Sequence, residues 1–246
     1  MWIFKSSIGR KLIMSLSGLF LITFLALHGV INLLAVYDAL HINGDSPTEL
    51  YNEACHFMGT NLLVQIMVPV LALGFIVHII YAFVLSAQNL KARGKDRYVV
   101  ASRTKANWAS KNMLLLGIIV LGLLGWHLSH FWAKMQLNEW MGQESEEGFY
   151  LVVATFSNKI VVVGYVIWLV ALWLHLNHGF WSAFQTIGWN NSIWYRRLRV
   201  IGVIVSTLLV STFLIVAIYF GFIYGGPTAF AEPIAEAAGN ICSIHL

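Results

Sequence analysis

Four histidines stand inside long apolar runs: His28 in LFLITFLALHGVINLLA, His78 in VLALGFIVHIIYAF, His127 in VLGLLGWHLSHFW and His175 in VVVGYVIWLVALWLHLNHGFWSAFQ. Ionisable groups at hydrocarbon depth are costly and usually face a bundle interior, where they serve as ligands or proton carriers. Two neutral imidazoles on facing helices make a bis-histidine axial pair for haem b, which needs a flat apolar slot and a nitrogen on each face of the iron. Six-coordinate iron has no open position, so such a group carries electrons. The ring nitrogen away from the metal needs its own partner, commonly a backbone carbonyl. Gly74 and Ala171, one turn before His78 and His175, leave room for that contact. Gly18, Gly29, Gly122, Gly125 and Gly164 either admit porphyrin edges or serve close helix packing. Zinc fits less well, because the pairs lie too far apart to converge and the spans lack carboxylates. A proton-coupled transporter would carry intramembrane Asp or Glu, and essentially none is present.

The elements that position these residues follow from composition. Of 246 residues 59% are hydrophobic, mean hydropathy is +0.73, and charges are confined to short segments, which places the chain among integral membrane proteins. The net charge of +4 reflects basic residues beside apolar runs, so it signals orientation and carries no nucleic-acid footprint. The fold class expected is an all-α membrane domain over 1–246 with five transmembrane helices, at about 12–37, 62–87, 112–133, 160–188 and 200–224, and a C-terminal tail at 225–246. The first run is too long for a signal-peptide core and no small-residue cleavage site follows it, so it stays as a helix. Pro69 predicts a kink in the second span, which neighbouring helices tolerate. Asp38 to Asn61 and the acidic stretch with Glu139, Glu144, Glu146 and Glu147 read as loops. Cys55 and Cys242 lack metal-site spacing and read as unpaired thiols, with one disulfide as the alternative.

Lys and Arg orient the bundle. Three lie in the N-terminus, seven between the second and third spans and three between the fourth and fifth, against only Lys134 and Lys159 at the opposite end. The N-terminus is therefore expected in the cytoplasm and the C-terminus outside. At 1.5 Å rise per residue, His28 and His127 lie about 6 Å to the outer side of their span centres, while His78 and His175 lie about 6 to 8 Å to the inner side. The successive spacings of 50, 49 and 48 residues follow from this alternation. Four antiparallel helices thus offer two histidine pairs stacked across the membrane, and two stacked haems form an electron path.

KLIMSLSGLFLITFLALHGVINLLA, YNEACHFM, IVHIIYAF, GWHLSHFW and HLNHGFWSAFQTIG, in that order, give a chain that resembles the di-haem cytochrome b subunit of succinate dehydrogenases and quinol:fumarate reductases. The resemblance covers nearly the whole chain up to about Tyr224. It implies five helices, two haem b groups, an iron–sulfur subunit docked on the cytoplasmic face, and beyond it a flavoprotein that holds the dicarboxylate site. Carried onto this sequence, it makes His28 and His127 ligands of the distal haem iron and His78 and His175 ligands of the proximal one. His175 stands four residues before Gly179 as the family pattern requires, whereas His178 does not. His178 and His130 are left between a haem-propionate contact and packing and stand as the fallback ligands, and His56 is left between a quinone-site neighbour and loop structure. Some members carry a carboxylate where Trp173 stands, so a proton path through that group is not expected here.

The activity implied is that of an enzyme subunit in a bacterial cytoplasmic (inner) membrane, surrounded by lipid. Electrons would pass between the iron–sulfur subunit and a membrane quinone, menaquinone or ubiquinone, by way of the two haems. Quinone would react near the distal haem, with Asn32, His56, His130 and Lys134 as neighbours. Lys134, or Arg10, Lys11 and Arg103 at the other end, supply cations for propionates. The basic segment from Lys91 to Lys111 reads as a dock for the iron–sulfur subunit or as a plain topology signal. The alternatives are a cytochrome b anchor of a hydrogenase or nitrate reductase type, and a haem-free transporter.

Overall fold

In the computed structural model, residues 6–40, 49–93, 108–189 and 191–224 are described, and they form helices with no strand among them. In chain order the helices are α1 (Ser7–Leu40), α2 (Glu49–Thr60), α3 (Leu62–Arg93), α4 (Trp108–Lys111), α5 (Met113–His130), α6 (Asn138–Trp140), α7 (Gly148–Ser157), α8 (Lys159–Ile187) and α9 (Ser192–Ile218). A π-helical turn, Ala133–Leu137, precedes α6, and another, Tyr219–Ile223, continues α9. Five of these helices, α1, α3, α5, α8 and α9 with its π turn, are long and apolar enough to cross a membrane.

Polar side chains start the spans. Ser6 Oγ accepts from the Gly9 amide at 3.0 Å, Asn61 Oδ1 from Leu63 at 3.0 Å, Asn158 Oδ1 from Ile160 at 2.9 Å and Asn191 Oδ1 from Trp194 at 2.8 Å. Each satisfies an amide that the first helical turn leaves without a partner. Gly188, at φ 108°, closes α8 in the left-handed conformation that a Cβ would disfavour, and α9 begins at Ser192. The α3 helix runs on through Pro69.

The chain departs from the expected pattern at three places. Asp38–Asn61 is not all loop, because α2 occupies Glu49–Thr60 and its Tyr51 amide donates to the buried Asp38 carboxylate at 2.7 Å. The stretch before the fourth span holds α7, a ten-residue apolar helix too short to cross a bilayer. Its Phe149, Leu151, Val152 and Phe156 are buried, and the Phe149 amide donates to Asn52 Oδ1 at 3.1 Å. The last span begins at Ser192, so Arg196, Arg197 and Arg199 are helical rather than part of a connecting loop. The predicted features at Arg103, most of the Lys91–Lys111 segment, Cys242 and the tail at 225–246 lie outside the described residues.

The core is asymmetric. α8 and α9 pack along their length, α1 packs on α3, α8 and α9, and α5 packs on α8. α3 and α5 touch only slightly, and the diagonal pairs α1/α5 and α3/α8 make no more than marginal backbone contact. The apolar stretches of α3 and α5 are 0% and 6% buried, against 22% to 28% in α1, α8 and α9, so three spans form the packed body and two stand at its margin. At the end of the bundle that carries α2 and α7, an apolar cluster of Ala35, Val36, Tyr51, Phe149, Val162 and Phe220 ties the short helices to the spans.

Candidate functional site

The histidines meet across the two diagonals that the backbones leave apart. The rings of His28 on α1 and His127 on α5 have centroids 5.9 Å apart with planes at 83°. Those of His78 on α3 and His175 on α8 are 6.3 Å apart at 64°. All four residues are half-buried. Each pair is therefore formed by side chains reaching from helices that scarcely touch, which is the arrangement needed to leave space beside the imidazoles.

Aromatic rings and polar groups hold the first pair. Phe24 stacks on His28 at 5.3 Å and 17°, and Phe213 lies 5.5 Å from it on the α9 side. Trp168 lies 5.3 Å from His127 while its indole N–H donates to the Val120 carbonyl at 3.2 Å. The Asn32 amide donates to the His28 carbonyl at 2.8 Å and lies 3.5 Å from His28 Nε2. On His127 the near group is the Tyr165 hydroxyl, 3.5 Å from Nδ1.

The second pair is held differently. Ser17 Oγ lies 3.3 Å from His78 Nδ1, and the Ser17 hydroxyl also donates to the Met14 carbonyl at 3.0 Å. His175 Nδ1 is buried without a hydrogen-bond partner, so the backbone contact expected beside Ala171 is not made. Gly74 does not make room for one either. A Cβ there would run into the Phe20 ring at 2.7 Å, so this glycine serves the close approach of α1 and α3.

The remaining glycines sort by surroundings. A Cβ on Gly29 would overlap Thr212, and one on Gly164 would meet Trp126 at 2.8 Å, so both serve close helix packing. Gly122 and Gly125 face open space on the exposed side of α5 that also carries Leu115 and Ile118. Gly18 is different: its Cβ would lie 3.4 Å from His78 Cε1. Gly117, which sequence reasoning did not single out, would place a Cβ 3.8 Å from His175 Cε1. Side-chain-free positions on α1 and α5 thus flank the His78–His175 pair from the other diagonal.

The other predicted residues are spread around one end. His130 stacks on Tyr165 at 6.0 Å and 15°, with its Nδ1 3.1 Å from the Tyr165 hydroxyl. Lys134 pairs with Glu146 at 3.4 Å. His56 is exposed on α2, and His178 sits edge-on to Trp181 at 5.0 Å. Neither is brought to a histidine pair as a facing ring. Cys55 lies under α7, where a Cβ on Gly148 would meet its Sγ at 2.6 Å. Burial, partly offset by the hydrogen bond to Tyr51, pushes the Cys55 thiol up to about 11, and burial with the neighbouring Cys55 raises the Tyr51 phenol as well. Tyr165, Ser17 and Trp168 were missed from sequence. The available signal was polar atoms at apolar depth, which is weaker than a histidine.

The donor set fits a metal held by two imidazoles. An imidazole nitrogen sits about 2 Å from a bound divalent metal, so two rings on opposite sides of one ion have centres about 6 Å apart. The observed 5.9 and 6.3 Å agree with that spacing. No group of three or more His, Cys, Asp or Glu converges among the described residues, so each pair offers two nitrogens and needs its other ligands from a bound group. A porphyrin supplies four. The glycines beside His78 and His175 are the local feature that such a flat group requires. No protein-family model, curated protein or solved structure matches the chain.

Proposed function

We propose that the chain is the di-haem b membrane anchor of a succinate:quinone oxidoreductase, a succinate dehydrogenase or quinol:fumarate reductase, in a bacterial cytoplasmic membrane. The single observation that carries the haem reading is the meeting of four intramembrane histidines in two facing pairs at metal-bridging separation. His28 with His127 would hold one haem and His78 with His175 the other. When bound, the iron supplies one-electron redox chemistry within the bilayer. The protein's part is to fix the four imidazoles, to flank His28 with Phe24 and Phe213 and His127 with Trp168, and to partner Nδ1 of His78 through Ser17 and Nδ1 of His127 through Tyr165.

Charge distribution supports the orientation. Arg10, Lys11, Lys91, Lys111 and Arg196, Arg197 and Arg199 fall at one end of the spans. Glu53, Glu139, Glu144, Glu146 and Glu147 fall at the other, with Lys134 and Lys159. The basic end is proposed as cytoplasmic and as the face that receives the iron–sulfur subunit, with the flavoprotein beyond it. Quinone, menaquinone or ubiquinone, would approach the His28–His127 pair, with Asn32 and His130 beside those ligands and Lys134 and His56 further out. The dicarboxylate chemistry is assigned to the partner flavoprotein, as the family resemblance implies.

Affinity purification of the tagged chain from its native membrane tests the reading. It predicts co-purification of covalent or tightly bound flavin with succinate-dependent quinone reduction. A complex that carries b-type absorbance but reduces quinone with hydrogen or oxidises it with nitrate would place the same anchor in another redox enzyme.

A further inference from the structure

The Tyr165 hydroxyl stands between two histidines of α5, 3.1 Å from His130 Nδ1 and 3.5 Å from His127 Nδ1. The phenol has little freedom to leave that place. Tyr165 is 5% exposed, and its ring is bounded by Trp126 at 5.2 Å, Phe156 at 5.1 Å and Trp168 at 5.7 Å, with His130 stacked against it. A phenol has one proton to donate, so it can donate to only one of these two nitrogens and must accept from the other.

The direction of this chain decides what it does. If the phenol donated to His127 Nδ1, the His127 proton would sit on Nε2 and neither nitrogen would be free for a metal. If His127 donates from Nδ1 to the phenol oxygen and the phenol donates to His130 Nδ1, then Nε2 of His127 is the free nitrogen. We propose that Tyr165, backed by His130, is the positioning residue of the His28–His127 site: it fixes the His127 tautomer and ring orientation and raises the basicity of that ligand. This rests on the haem reading above. Donation from a ligating imidazole increases its electron donation to the metal, and a phenol that is itself donating accepts more strongly.

The other pair is held differently. His78 Nδ1 has only the Ser17 hydroxyl at 3.3 Å, which donates onward to the Met14 carbonyl, and His175 Nδ1 is buried without a partner, so neither of those ligands is backed by a phenol that a second imidazole in turn accepts from. The His28–His127 haem is thereby held at a lower potential than an unassisted pair would set, and His130 acts through Tyr165 rather than as a ligand.

Redox potentiometry and low-temperature electron paramagnetic resonance of the purified complex, wild type against Tyr165→Phe and His130→Phe, test this. Tyr165→Phe keeps the ring and its packing while removing the hydroxyl. It should retain both haems, shift the low-spin signal of one, and move that haem to more positive potential by up to about tenfold in its reduction equilibrium, which is about 59 mV for one electron. The haem that moves should be the one that survives in His78→Ala. His130→Phe should move the same haem in the same direction by less, and it carries the test where Tyr165→Phe does not assemble. Unchanged potentials and signals in both variants, or movement of the other haem, would overturn the proposal. Absence of haem from the wild-type complex would instead defeat the site reading on which it stands.

Discussion

The His78 and His175 rings lie 6.3 Å apart although α3 and α8, which carry them, make no more than marginal backbone contact. Side chains that meet across an open diagonal are poor helix glue. Two imidazoles at that distance make no direct hydrogen bond to each other. A group bound between the rings is the simplest physical reason for the arrangement.

The two pairs should therefore be lost independently. His78→Ala is expected to halve the haem content and leave the other haem with its own spectrum, and His28→Ala to do the reverse. Pyridine haemochrome quantitation with reduced-minus-oxidised spectra at low temperature reads this. A His78→Ala protein with both spectra intact would remove His78 from the ligand set.

Glycines beside the rings should behave unlike glycines elsewhere. Gly18→Leu and Gly117→Leu place bulk against His78 and His175, and should deplete the haem that His78→Ala also removes. Gly125→Leu faces open space on α5 and should leave haem content unchanged. Equal haem loss in all three variants would show that the effect is general misfolding.

Gly29 has a packing role that can be measured without reference to any bound group. A Cβ there overlaps Thr212 on α9, so Gly29→Val should force α1 and α9 apart and cost about 1–3 kcal/mol. A lowered thermal unfolding midpoint in detergent is the expected result, with Gly122→Val as the unaffected control.

Cys55 should be a slow nucleophile. Its thiol ionises near 11 rather than at the ordinary 9.0, so the neutral form persists as pH rises and the thiolate at pH 8 is about a hundredfold scarcer than for an ordinary cysteine. Maleimide labelling in a Cys242→Ser background should accelerate steadily with pH up to about 11. A rate that levels off near pH 9 would contradict the burial of this thiol under α7.

The five long helices were legible because their apolar runs exceed what any soluble core needs, and because histidine is rare enough at that depth to mark partners. Matching His28 with His127 and His78 with His175 required only the rise per residue and the alternation of direction. The α7 helix was not legible. GFYLVVATFS is a ten-residue apolar run next to a longer one, and length alone does not distinguish a short packed helix from an extension of its neighbour. The true roles of the glycines were equally hidden, since Gly29, Gly18 and Gly125 differ only in which side chain of another helix stands opposite. Tyr165 escaped notice for the same reason: its importance comes from the positions of His127 and His130 on α5, which its own span does not record.

Haem stoichiometry of the purified chain is the most direct test of the central claim. The account predicts two low-spin b-type haems per chain, reducible by dithionite and free of ligand-induced shifts with carbon monoxide because both axial positions are filled. A folded, monodisperse preparation from haem-replete membranes that contains no haem, or whose haem binds carbon monoxide readily, would contradict the assignment of the two histidine pairs.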